Sequence, residues 1–150
     1  MRSIERLLDQ LNRTFGGPAW HGPAVRELLD GVTEEQAKAH PLAEGHSILE
    51  LVVHIRAAID LVSERLAGNP KELTVEEDWP DVAKTTWLVA IEELERAQSR
   101  LCDAVARTRP EDLDKIVVGK SYTTYVMIHG AIQHTTYHAG QIALLKKATS

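Results

Sequence analysis

Residues 124–147 read TYVMIHGAIQHTTYHAGQIALLKK. No proline interrupts the run, Thr123 or Thr124 stands where a helix cap belongs, and two lysines close it at the end where a helix dipole favours cations. At about 100° per residue, Met127, Ile128, Ala131, Ile142 and Leu145 gather on one side, so the segment reads as a long helix with one face in a core. His134 and His138 fall in that apolar sector and Gln141 lies just beside it. Polar rings aimed at a core are costly unless something satisfies them.

Working outward, three more long helices share this patterning. Ile4, Leu7, Leu8, Leu11 and Phe15 recur at helical spacing, with Ser3 placed to cap and Gly16-Gly17-Pro18 placed to stop. Residues 16–46 form a long connection with room for short helices near Pro23–Leu29 and after the Thr33-Glu34-Glu35-Gln36 capping box. Ser47-Ile48-Leu49-Glu50 opens a second long helix with its stripe at Ile48, Leu51, Val52, Ile55, Ile59, Val62 and Leu66, ended by Gly68-Asn69-Pro70. Lys71–Trp79 reads as acidic and irregular. A third helix is expected from Pro80-Asp81 to about Arg107, with Val82, Thr86, Trp87, Ala90, Leu94, Ala97, Leu101 and Val105 inward. Residues 112–121 read as a loop with a short extended piece at Lys115–Val118. Four amphipathic helices with unequal connections predict an all-α four-helix bundle, its long first connection carrying short helices, in one domain over residues 1–150.

Bulk properties narrow the function classes. A chain of 150 residues can bury a sizeable core, and 43% hydrophobic with 26% charged residues is the composition of a globular protein. A formal charge of −5 argues against nucleic acid as a partner. No apolar run approaches the roughly 18 residues needed to span a bilayer, so no membrane role is expected. The first residues, MRSIERLLDQLNR, lack the apolar core of a signal peptide, and the lone Cys102 suits a reducing compartment, so the expected setting is cytoplasmic. Cys102 falls in a helical pattern and reads as a packed thiol.

His134 and His138 are four residues apart and share a helical face, while His54 edges the apolar stripe of the second long helix. Three imidazoles from two helices can hold zinc, nickel or iron with a coordination position left open. With seven histidines in the chain, the same spacing also fits core histidines satisfied by hydrogen bonds. Thr135 stands where a zinc protease of the HExxH type carries its glutamate, which excludes that chemistry. Glu50 lies one turn before His54. His21 sits beside Trp20 in a loop that could overhang a site. His129 points away from His134, and His40 and His46 flank turns. Trp20, Trp79, Trp87 and Phe15 read as core or interface material.

The block His134-x-x-Tyr137-His138-Ala139-Gly140-Gln141-Ile142, together with Ser47-Ile48-Leu49-Glu50-Leu51-Val52-Val53-His54 and Ala19-Trp20-His21-Gly22-Pro23-Ala24, resembles the DinB-like superfamily, with metal-dependent hydrolases as the nearest group. The similarity runs over essentially the whole chain. The resemblance implies a four-helix bundle, a divalent metal held by His54, His134 and His138, a homodimer, and a small-molecule substrate. Some members couple a low-molecular-weight thiol, such as bacillithiol or mycothiol, to electrophiles. Gln141 then reads as a partner that orients His138 or binds a ligand, Tyr137 as a packed aromatic or proton donor, and Gly140 as a site of close helix packing.

Two reactions fit an open three-histidine centre. A metal can activate water for hydrolysis, or it can bind a thiol as the thiolate that attacks an electrophile. The second asks less of the protein, because a thiolate needs no general base. No catalytic residue is identified by any motif. The alternative is a non-catalytic bundle that binds a metal or small ligand.

Overall fold

The computed structural model describes residues 2–150. Its elements, in order, are α1 (Ser3–Gly16), α2 (Val25–Leu29), α3 (Glu34–Lys38), α4 (Ile48–Leu66), α5 (Val75–Asp78), α6 (Trp87–Arg107), a 3-10 turn (Pro110–Asp112) and α7 (Thr124–Ala148). The fold is all-helical, with the four long helices α1, α4, α6 and α7 forming a bundle. α4 packs between α6 and α7, and α1 closes the square from the opposite corner against the same two helices. The short helices α2 and α3 ride on the connection between α1 and α4.

Caps fix most boundaries. Ser47 Oγ accepts from Glu50 N–H at 3.1 Å while Glu50 Oε2 accepts from Ser47 N–H at 2.7 Å, and Thr33 with Gln36 repeats that reciprocal pair. Thr123 caps α7 through Val126 N–H. The aliphatic stripes then interlock: Ile48, Leu49, Ile55, Ile59, Leu94, Leu101, Ile128 and Ile142 are all but fully buried.

Four readings of the sequence need correction. Ser3 lies inside the first turn of α1, where Arg2 is the cap residue and its N–H donates to Glu5 Oε2 at 2.9 Å. α6 starts at Trp87 rather than Pro80, because the Thr86 hydroxyl caps it by accepting from Val89 N–H. Residues 71–79 are not wholly irregular: Thr74 and Glu77 form another reciprocal cap and close the single turn α5. Trp20 is fully exposed, while Trp87 and Phe15 are buried as expected.

The loop before α7 is anchored. Ile116 and Thr123 form an antiparallel bridge, Val117 N–H donates to Tyr122 C=O at 3.0 Å, and Thr124 N–H donates to Lys115 C=O at 2.9 Å. These bonds seat Tyr122 at the N-terminal end of α7.

Candidate metal centre

His54 projects from the middle of α4 into the seam with α7, where His134 and His138 stack one turn apart. The heptad-like apolar stripes of both helices force this meeting, since each histidine shares a face with residues that must be buried. One ring nitrogen from each lies within 4.8 Å of the others. His54 and His138 are buried and His134 is half-buried.

The protonation pattern follows from the partners. His54 Nδ1 lies 2.7 Å from the backbone oxygen of Asp78, which can only accept, so the proton sits on Nδ1 and Nε2 carries a bare lone pair. Asp78 Oδ1 adds a second acceptor at 3.2 Å from the same nitrogen. His138 Nδ1–H donates to Gln141 Oε1 at 2.6 Å, which likewise leaves its Nε2 bare. His134 Nε2 lies 2.9 Å from His54 Nε2 and must donate to it, while His134 Nδ1 is buried without a partner among the described residues.

Charge is disfavoured at His134 and His138. Burial pushes the His134 pKa down from the ordinary 6.5 to about 4, and the neighbouring His138 and His54 rings push the same way. Burial also lowers the His138 pKa, with the Gln141 bond offsetting part of the fall. The result is a set of neutral nitrogen donors converging on one point, with a single proton between two of them and one buried nitrogen unsatisfied. That donor set fits a divalent transition metal, which needs neutral imidazole, and His54 and His138 already have the outer partners that ligating histidines require. Satisfied core histidines would not leave His134 Nδ1 orphaned.

The other residues singled out in the sequence sort by position. Gln141 sits on the outer nitrogen of His138. Tyr137 is exposed and presents its ring to His138 at a centroid distance of 5.0 Å and an angle of 74°. Glu50 does not reach His54; its carboxylate accepts from Ser47 N–H, lies 3.0 Å from His40 Nε2 and 3.7 Å from His46 Nδ1. Burial would raise the Glu50 pKa, but the Ser47 amide and the His40 ring outweigh it and leave it lowered. His21 is exposed in the Ala19–Gly22 turn and is not part of the three-histidine group. His129 stacks obliquely on Tyr125 instead. Gly140 is exposed with open space where a Cβ would stand, so it does not serve close helix packing within the chain.

Sequence reasoning misses Asp78; Trp79 packs against the core as expected, but its place beside the histidines is not foreseen. The indole lies between His54 and His46, at centroid distances of 3.8 and 3.7 Å. The signal available in the sequence is Thr74-Val75-Glu76-Glu77, the same cap spacing as Ser47–Glu50, which fixes a turn just ahead of both residues.

A sequence model described as the DinB superfamily matches residues 19–142, a span that includes all three histidines. The crystal structure of a conserved protein from Enterococcus faecalis superposes with a TM-score of 0.78 over 99% of this chain and 98% of that one, at 17% sequence identity, a likeness of fold. Among curated proteins, none matches the chain.

Proposed function

The chain belongs to the DinB superfamily, and from that premise we propose that it binds one divalent metal through His54, His134 and His138 and uses it in hydrolysis or low-molecular-weight-thiol transfer on a small molecule. The observation that carries this reading is the approach of His54 Nε2 to His134 Nε2 at 2.9 Å while the far nitrogen of His54 is committed to the Asp78 carbonyl. Zinc and nickel suit three imidazoles best, and iron is compatible. When bound, such a metal supplies Lewis acidity, which polarises an oxygen or lowers the pKa of a water or thiol.

The chain's own residues do the rest. Asp78 and Gln141 hold two imidazoles in the tautomer that exposes Nε2. Trp79 covers one face of His54 and limits water there. No carboxylate is in direct contact with His134 or His138 among the described residues, and the Asp78 carboxylate is engaged by His54 Nδ1. That scarcity of a general base favours thiol transfer over hydrolysis, because a thiolate attacks without one.

A homodimer in a cytoplasmic setting belongs to the same proposal. Its supports are the superfamily, the absence of any helix long and apolar enough to cross a membrane among the described residues, and the lone Cys102, whose thiol pKa burial raises.

The test is elemental analysis of untagged protein purified without chelator, beside a His54→Ala/His138→Ala variant. About one zinc, nickel or iron per chain, lost in the variant, is the expected result. Metal that is absent and cannot be restored would reduce the histidines to a structural role.

A further inference from the structure

Beside His134, α4 and α7 leave a cavity of about 260 Å³ that extends towards the N-terminal end of α7. Its walls are mainly aliphatic, including Leu61 and Val62 of α4 and Met127 of α7. Only the two ends are polar. At the near end stands the His134 ring. At the far end Arg65 Nη1 donates to the Tyr122 hydroxyl at 2.8 Å.

That far end is built rather than incidental. The Arg65 side chain is only 8% exposed, and its other donors go to Lys71 C=O at 3.1 Å and Glu72 Oε2 at 3.0 Å. Glu72 also pairs with Lys120, so two cations share one carboxylate and the end of the groove keeps a positive balance. Because the phenolic oxygen of Tyr122 accepts from a cation, its own proton remains to be donated, and it is a stronger donor for being so polarised. No acceptor engages that proton among the described residues.

We propose that this groove holds the substrate, and that the substrate is a small carboxylate with an apolar body: the carboxylate accepts from Tyr122 beside Arg65, the hydrocarbon lies along Leu61, Val62 and Met127, and the reacting end reaches His134. The volume sits just below the usual range for ligand pockets, which sets the size at roughly ten non-hydrogen atoms. The groove spans about two to three helical turns, on the order of 10–15 Å, and an extended eight-carbon carboxylate reaches only the lower end of that length. Its assignment to the substrate rests on the metal-centre reading, whereas its capacity to bind such a molecule does not.

Octanoate is the probe, and octanol is its control without the charge. Each is titrated into the full untagged chain while the amide resonances of Met127 and Ala131 are followed, and metal content is measured on the same samples. Saturable octanoate binding at millimolar concentration is expected. Tyr122→Phe should weaken octanoate at least tenfold and leave octanol unchanged. Gly130→Trp should abolish both without altering metal content, because Gly130 lines the groove and no described residue lies within 4 Å of its would-be Cβ. Absence of octanoate binding, equal binding to the Gly130→Trp variant, or a wild-type dimer that this substitution dissociates without any octanoate effect would each overturn the proposal. Octanoate binding to a protein that takes up no metal would support the groove and remove the metal-centre reading instead.

Discussion

The indole of Trp79 lies flat on the imidazole of His54, with ring centroids 3.8 Å apart and planes within 5° of parallel. Its opposite face carries His46 at 3.7 Å and 11°. Trp79 directly follows Asp78, whose carbonyl holds the edge of the same His54 ring. A one-turn helix in an acidic connection therefore grips one histidine on face and edge together. Both grips act on the ring's orientation, which for a ligating histidine determines where its lone pair points.

Trp79→Ala should remove the face contact and keep the edge contact. Metal affinity is expected to fall about tenfold, the lower end for loss of an outer-shell partner. Metal-free stability should fall by roughly 0.5–1.5 kcal/mol for the aromatic stacking alone. Chelator competition reads the first quantity and urea denaturation the second. An unchanged affinity would assign the orientation of His54 to the Asp78 carbonyl by itself.

Gln141→Leu isolates the other ligand ring. The substitution keeps the volume but takes away the only acceptor on His138 Nδ1 among the described residues, bonded at 2.6 Å. The ring then gains freedom to choose the wrong tautomer, and metal affinity should drop by about 10–100-fold. Gln141→Glu keeps an acceptor and adds charge, so it should restore tight binding. The pair of dissociation constants separates hydrogen bonding from side-chain bulk. If leucine binds metal as tightly as glutamine, Gln141 has no orienting role.

The bundle was legible because each long helix carries an uninterrupted apolar stripe, and Ser47–Glu50 and Thr123 announce two starts at sequence level. The three histidines were legible for the same reason, since helical phase alone aims His134 and His138 at a core face. Asp78 and Trp79 were not, because their approach to His54 depends on how a short turn folds back over α4, and periodicity carries no information about that path. Pro80 looked like a helix start because proline suits a first turn, yet the Thr86 hydroxyl takes the cap six residues later. Gly140 reads as a packing contact through its place in the His134–Ile142 block, whereas its own phase turns it to solvent.

Acid should destabilise the metal-free protein over a defined window. The His134 pKa is lowered in the folded state from 6.5 to about 4, so between those values the unfolded chain binds a proton that the folded one refuses. Stability therefore rises with pH across the window: it is retained above about 6.5 and lost progressively as pH falls towards 4. His138 shifts in the same direction and adds to the slope. Glu50, lowered from 4.5, adds to the loss only at the acid end, below about 4.5. Thermal melts of chelator-treated protein across the window measure the slope, and His134→Asn should flatten it. A wild-type melting temperature that stays constant from pH 7 to pH 5 would contradict the burial assigned to these rings.

Gly140→Ala tests whether anything covers the outer face of α7. Gly140 is exposed in the interior of a 25-residue helix, and no described residue lies within 4 Å of the position its Cβ would take. Glycine there costs backbone entropy and returns no packing, so alanine should stabilise the protein by about 0.5–1 kcal/mol. Tyr137 and Leu144 flank it, 67% and 69% exposed, and would form a shared apolar strip if a second copy docked there. The two cases differ in sign. On a free face, the urea midpoint rises and does not depend on protein concentration. Against a closely packed partner, the added methyl collides, the midpoint falls, and light scattering shows a smaller assembly than wild type. The single substitution thus reads the state of this face through a stability measurement, without requiring that the partner be known beforehand.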